Sequence, residues 1–596
     1  MEYLKSVFFF HEDTPLIFTR FYFWGFFAIV LTIYSIIYRQ RALRNTFLFF
    51  ASLFFYYKTS GLFFLLLLFS TLADYTIGLG IYHSKKYMWK RVLVGVSIFV
   101  NLGVLSYYKY SYLFIEWLNH TFNTSFEVTD YLAMWVNAIT GSGFDFTTII
   151  LPVGISFFTF QTISYSMDIY RGKVKPVRNI LDFGFYVSFF PQLVAGPIVR
   201  ASEFVPQLYK KFSLTREEFG YAIFLILNGL FKKMILGDYI AVNFIDRVFE
   251  NPSMYSSFEN LMALYGYSLQ VYCDFSGYTD IAIGVALLMG FRLPKNFNSP
   301  YKATSVGDFW KRWHMSLSSW LKDYLYIPLG GNRSTSVFNL IFIPAAIFIF
   351  VMFPDWEWGK FGLISGAFAF WILSMIYPRN HTFDYISMAF LAGLVGYINL
   401  SVWYISAFVL LIIFLWVLLL ARPSVKQYIT TDVNLMMTML LGGLWHGAST
   451  NFIVWGGLNG VGLVVYKLWS KISPYEKKKG MLAHFWKVML TFNFITFTRI
   501  FFRGEDYNRA GIMINKITSG WDFSIIPDIL WSYKTVFLLM LFGYIIHWLP
   551  GSFKESYRGW FIKTPVYVKA TVTAMVVFAV YQAISADMQP FIYFQF

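Results

Sequence analysis

LLGGLWHGAST, residues 440–450, ends an apolar run that begins at Asn434 and carries one ionisable side chain, His446. An ionisable residue inside a membrane segment is costly, so it marks either a functional site or a polar contact buried between helices. Gly442 and Gly443 precede it and Gly447 follows. Residues without a Cβ let a neighbouring helix or a ligand come close to the backbone. Read alone, the stretch leaves packing and chemistry equally open.

The rest of the chain decides what kind of segment this is. Of 596 residues, 57% are hydrophobic, 22% aromatic and only 13% charged. Apolar runs of about 17–25 residues recur from end to end, the length that crosses a bilayer as a helix. The expectation is an all-α polytopic membrane protein. A β-barrel is disfavoured, because barrels show short alternating segments. The net charge of +16 would suggest nucleic acid in a soluble protein. Here it reflects basic loops on the cytoplasmic side, and no nucleic-acid partner is expected. A lone cysteine, Cys273, excludes an intrachain disulfide and a cysteine metal cluster. MEYLKSVFFFHEDT at the N-terminus has no basic region or cleavage site of a signal peptide.

Upstream, apolar runs fall at about 15–37, 45–57, 61–82 and 92–115, separated by RQRALR (39–44) and a second basic loop at 85–91. Basic loops face the cytoplasm, which places the N-terminus outside. The segments 151–173 and 181–200 are interrupted by Pro152, Gly154, Pro191, Gly196 and Pro197. Broken apolar segments persist at membrane depth only when buried in protein or lining a cavity, so both read as re-entrant or kinked helices. In 265–290, Asp274 and Asp280 are six residues apart and on different faces; buried aspartates bonded to Ser, Tyr or backbone groups are the simplest reading.

Residues 291–333 are basic and aromatic, and suit helices at the cytoplasmic interface. Ser305 and Asp308 are candidate caps of a helix holding Trp310 to Tyr324, with His314 on it. Lys311, Arg312 and His314 could attract a phosphorylated donor, but composition alone favours an anchoring helix whose cations snorkel to lipid phosphates. Four further runs lie between 337 and 421. Asn434–His446, at 13 residues, makes about 20 Å of helix, part of a bilayer, which places its His deep. Runs at about 451–468, 484–502, 534–549 and 567–587 complete about 14–16 spanning or partly inserted helices, and DMQPFIYFQF (587–596) emerges outside.

There is no Walker A sequence, HExxH or GxSxG, and no metal site is expected. Histidine is the side chain best suited to general-base work near neutrality, and acyl transfer from a thioester to a hydroxyl needs little beyond a base and oxyanion donors. Residues alone leave three classes open: an acyltransferase, a proton-relay transporter and a non-catalytic scaffold.

Four motifs carry a resemblance: LPVGISFFTFQTISYSMDIYRG (151–172), FFPQLVAGPIVR (189–200), DFWKRWHMSLSSWLKDYLYIPLGGNR (308–333) and NLMMTMLLGGLWHGAS (434–449). Together with FIYFQF at 591–596, they resemble the membrane-bound O-acyltransferase superfamily. The likeness is strongest to its bacterial branch for alginate O-acetylation, peptidoglycan O-acetylation and teichoic acid D-alanylation. The resemblance implies a helical bundle with re-entrant helices around a central tunnel. It implies that His446 is the buried catalytic base, that His314 is a second histidine lining the tunnel, and that Tyr593 is an acyl relay. It implies no bound cofactor, a cytoplasmic thioester donor such as acetyl-CoA, and an extracytoplasmic SGNH-like transferase as partner. The acceptor would be a cell-surface polysaccharide, and the location a bacterial inner membrane with both termini outside; a lipid acyltransferase is the alternative. Residues 1–596 would form a single domain. Residues 335–431 depart from the branch's pattern and read as an insert of about four transmembrane helices.

Overall fold

The computed structural model describes residues 10, 15–141, 145–333, 362–367, 369–370, 373, 382–397, 423–504 and 507–583. The terminal motif with Tyr593 and most of the 335–431 segment lie outside the described residues. Every described element is a helix, and the protein is all-α, as the apolar runs require. Among the described residues, five helices are long and apolar enough to cross a membrane: Arg41–His83, Tyr87–His120, Arg216–Glu250, Ser257–Leu288 and Thr450–Ile472. Two bent pairs, Ile526–Ser532 with Lys534–Trp548 and Gly551–Lys563 with Val566–Gln582, turn by 85° and 116°. The chain divides into two compact units, one of Met1–Leu105, Leu151–Ser318 and Lys479–Phe596, the other of Ser106–Ile150 and Ser319–Lys478.

The first unit is organised around Ser257–Leu288. Some 78% of its apolar window is buried in protein, against 22% for Tyr87–His120, so it faces other helices rather than lipid. Ser256 and Glu259 close its N-terminus as a capping box. Arg216–Leu230 lies against it at backbone distance: a Cβ on Gly229 would come 2.5 Å from the Gly277 carbonyl oxygen, and one on Gly284 2.7 Å from that of Ala222. That helix continues through two wide π turns, Phe231–Asp238 and Ala241–Ile245. Lys232 and Lys233, adjacent in sequence, thereby serve two aspartates six residues apart. Lys232 Nζ is 2.8 Å from Asp280, and Lys233 Nζ is 2.5 Å from Asp274 and 2.7 Å from Asp238. The aspartates' partners are thus lysines of the neighbouring helix, where hydroxyls or backbone groups were expected. Removing one partner of a buried ion pair strands the other charge and costs about 3–5 kcal/mol. Lys233→Met should therefore lower resistance to denaturant in detergent by about that amount, with Lys233→Met/Asp274→Asn recovering part of it; an unchanged midpoint in the single variant would refute the account.

A second polar knot joins three helices. Asp74 accepts from Ser97 Oγ (2.5 Å), Asn101 Nδ2 (2.6 Å) and Ser166 Oγ (3.2 Å), and Thr162 donates to Asn101 (2.8 Å). The interrupted segments behave as their prolines and glycines indicate. Ile155–Tyr170 is almost wholly buried, and 181–200 breaks into Ile180–Ser188 and Phe190–Leu193 before Ala201–Leu208. Gly154 starts the first of them with φ +76°, and a Cβ there would collide with the Leu193 carbonyl.

In the second unit, Pro423–His446 and Thr450–Ile472 form a helical hairpin. The helix ending in His446 is 24 residues long, not the 13 that hydrophobicity alone marks. Two polar residues before its apolar half find tertiary partners: Lys467 Nζ is 2.5 Å from Asp432, and Asn434 Nδ2 donates to the Gly331 carbonyl (2.9 Å). Within the 335–431 segment, Thr382–Tyr397 is helical, and its Leu394 packs on Trp117, Leu363 and Ile364.

Candidate active site

His446 is the last residue of its helix and 4% exposed. The turn 447–449 leads into the next helix, capped by Ser449 Oγ, which accepts from the Asn451 N–H (3.3 Å). Its imidazole sits edge-on to two indoles, Trp445 at 4.9 Å and Trp455 at 5.1 Å between ring centres. The hairpin brings Trp455 there because its helices touch through glycines: a Cβ on Gly443 would strike the Phe452 carbonyl and lie 3.1 Å from the Gly456 Cα. Gly447 similarly faces the Phe452 ring. These two glycines are packing notches, and the space they make is filled by Phe452 and Gly456 rather than kept for an acyl chain. Gly442 meets only Leu321 Cδ1, at 3.5 Å.

A helix ends with carbonyls that lack intrahelical partners. Here Lys109 Nζ donates to the carbonyls of Trp445 (2.6 Å) and His446 (2.9 Å), and the Tyr110 hydroxyl donates to that of Leu444 (2.6 Å). A cation at a helix C-terminus complements the helix dipole and holds the last turn. Lys109 and Tyr110 escape a reading of hydrophobicity because they lie in the apolar run 92–115. The signal was present as a single lysine among tyrosines, YYKY at 107–110.

His314 belongs to the first unit and is fully buried. It does not sit on a continuous helix from Trp310 to Tyr324. Val306–Trp310 ends, residues 311–314 turn, and Met315–Leu321 begins. Neither glycine nor proline breaks the helix; tertiary hydrogen bonds do. The Asn298 N–H donates to the Arg312 carbonyl (2.9 Å) and the Met315 N–H to that of Asn296 (2.9 Å). His314 takes φ +44° as a result, a left-handed conformation that non-glycine residues seldom adopt and that clusters at functional sites. The Ser305 cap forms as expected, its Oγ accepting from the Asp308 N–H (3.1 Å).

Asn296 fixes the His314 tautomer. Its Oδ1 accepts from the Ser316 N–H (3.1 Å) and Oγ (2.9 Å), and a backbone N–H can only donate, so the amide orientation is set. The His314 Nδ1, 3.3 Å from that same oxygen, therefore carries the hydrogen, and Nε2 holds the lone pair. Phe275 (4.6 Å) and Phe157 (6.4 Å) flank the ring. His314 lies outside the candidate spans, and burial pushes its imidazole down to about 3, so the ring is neutral around pH 7. Arg312 is bound in an ion pair with Asp308 (2.9 Å). Lys311 precedes it on the same turn, exposed. His446 and His314 are thus centres of two different units, each built by its own surroundings.

Comparison with known proteins adds the following. The model of the membrane-bound O-acyltransferase family matches residues 176–353. A peptidoglycan O-acetyltransferase of Helicobacter pylori is 30% identical over 486 residues, covering 77% of this chain and 71% of that protein. A probable alginate O-acetylase of Pseudomonas syringae pv. tomato is 30% identical over 493 residues, covering 81% and 71%. A second, from Pseudomonas aeruginosa, is 31% identical over 483 residues, covering 80% and 70%.

Proposed function

This chain belongs to the membrane-bound O-acyltransferase family and is an O-acyltransferase, and from that premise we propose that it moves an acetyl group from a cytoplasmic thioester, acetyl-CoA, to a cell-surface polysaccharide. It is a multi-pass membrane protein. The observation that carries the chemistry is His446: a buried imidazole at a helix end, walled by two indoles and tied down by Lys109. In the proposed reaction His446 takes the proton of an acceptor hydroxyl as its oxygen attacks the thioester carbonyl. The tetrahedral intermediate collapses, the carbon–sulfur bond breaks, and the proton passes to the departing thiolate. His314 supports as a neutral hydrogen-bonding group. The choice of acetyl and polysaccharide is supported by the relatives' names, which specify peptidoglycan and alginate.

The same proposal places the chain in a bacterial inner membrane with both termini outside. The acyl group then passes to an SGNH-like transferase, and Tyr593 is a candidate carrier because a tyrosine hydroxyl can form an ester. Lys311 and Arg312 are candidates for attracting the donor's phosphates. The test is the alkali-labile acetate of surface glycans in cells lacking the chain. Loss of that acetate, restored by the wild-type gene, supports the proposal. Loss of labelled acetate from membrane lipid with glycans intact would instead mark a lipid acyltransferase, and no change in either would overturn both.

A further inference from the structure

The first unit contains a cavity of about 310 Å³ whose wall includes Lys232, Lys295, His547, Lys554 and Arg558. Its volume sits at the lower end of small-ligand sites, which run from ~300 to ~1,000 Å³. Four cationic side chains, Lys232, Lys295, Lys554 and Arg558, share this wall with two carboxylates, Asp280 and Glu555.

Two of the charges are balanced internally. Lys232 pairs with Asp280 at 2.8 Å, with Asn228 Nδ2 donating to the same oxygen (2.8 Å), and Arg558 pairs with Glu555. Among the described residues the other two have no carboxylate partner. Lys554 Nζ donates there to uncharged oxygens, the His547 carbonyl (2.7 Å) and Ser299 Oγ (3.1 Å). Lys295 is exposed. A further ammonium, Lys302, is held by the Leu549 carbonyl (2.5 Å) and acts on Lys554 as a like charge, as Lys232 does. Like charges held together without counter-charges are unfavourable unless something else neutralises them.

His547 also belongs to the wall. His547 is 2% exposed, and its Nε2 accepts from the Tyr301 N–H (3.2 Å). Because that nitrogen carries a lone pair, the hydrogen of the neutral ring lies on Nδ1. Nδ1 is buried and has no hydrogen-bond partner among the described residues. A buried donor of this kind is normally satisfied, by protein or by something bound.

We propose that this cavity is a binding site for a phosphate-bearing anion, with Lys554 and Lys295 as its donors and His547 in its wall. Two ammoniums match a phosphate group, which carries about −1.5 to −2 charge near neutrality and three strong acceptor oxygens. Lysine binds phosphate as a point charge, so flexible ammoniums at a cavity wall suffice. The site is built from charges and hydrogen bonds of this unit alone and is independent of the acyl-transfer proposal. Neither Lys311 nor Arg312 is on this wall. The phosphate could belong to a soluble nucleotide or to an anionic lipid headgroup, which share this chemistry.

The test uses the full chain in nanodiscs of phosphatidylcholine and inorganic pyrophosphate as probe, with sodium chloride at matched ionic strength as control. Pyrophosphate should raise the thermal midpoint of the wild type, saturably, and chloride should not. Lys554→Gln should abolish the shift. Lys295→Gln alters an exposed side chain away from the helix contacts, so it keeps the fold and should weaken pyrophosphate affinity about fivefold or more, as loss of one charge-assisted contact implies. Absence of a pyrophosphate shift in the wild type, or undiminished affinity in Lys295→Gln, overturns the site. With the site present, competition by adenosine 3′,5′-bisphosphate identifies a soluble nucleotide phosphate as its ligand, and loss of the pyrophosphate shift in phosphatidylglycerol nanodiscs identifies a lipid headgroup.

Discussion

His446→Ala should abolish the proposed acetylation of the surface glycan while the protein accumulates in the membrane at its normal level. The reason is that the turn carrying the imidazole is held through its main chain. It closes its helix, and the turn is secured by the Lys109 and Tyr110 contacts to main-chain carbonyls, which alanine keeps. What alanine removes is the one group between the two indoles able to accept a proton. A positioned general base contributes about 10²–10⁴ in rate, and an attack by an unassisted hydroxyl would be lost below detection in cells. The measurement is alkali-labile acetate per unit glycan against immunoblotted protein. Acetate persisting at more than a tenth of the wild-type level would remove His446 from the chemistry.

Lys109→Met should produce the second largest effect, and a different one. Methionine matches the length of the stem but leaves the carbonyls of Trp445 and His446 without their charged donor. Hydrogen bonds to charged groups contribute about 1.5–3 kcal/mol, and 1.36 kcal/mol is a factor of ten in rate, so kcat should fall about 10–100-fold. Lys109 touches main chain, not reactants, so it is a positioning residue. The KM for acetyl-CoA should therefore stay within about twofold, because removing an interaction felt only in the transition state lowers kcat alone. Thiol release from acetyl-CoA by the purified chain, supplied with an acceptor, gives both constants. Lys109→Arg should recover much of the loss. A lysine with only a structural role would lower the yield of folded protein and leave kcat per folded molecule unchanged.

Much of this arrangement was legible before any coordinates. Membrane helices must satisfy their backbone internally and bury apolar length, so composition and run length declare them. The prolines and glycines of 151–200 announced broken segments, and Ser305 announced a helix start. What stayed hidden shares one cause: partners supplied from distant sequence. Residues 423–433 look too polar to extend the His446 helix until Lys467 and Gly331 are seen beside it. The break at 311–314 has no local breaker, because Asn296 and Asn298 impose it. Asp274 and Asp280 appear to lack strong partners until the π turns rotate two successive lysines onto them. Tyr110 reads as one more aromatic in an apolar run. Neither histidine could be assigned a tautomer or a wall from spacing alone.

The contact between Gly443 and Gly456 reaches further than helix packing. Gly443 lies three residues before His446, and Gly456 immediately follows Trp455. Main chain rests on main chain there, with no flexible side chain between to absorb a displacement. Sliding one helix along the other would drive the Gly443 region into the Phe452 carbonyl, so the two move as a stiff block. The backbone positions from which the imidazole and the indole of Trp455 extend are thus fixed relative to one another.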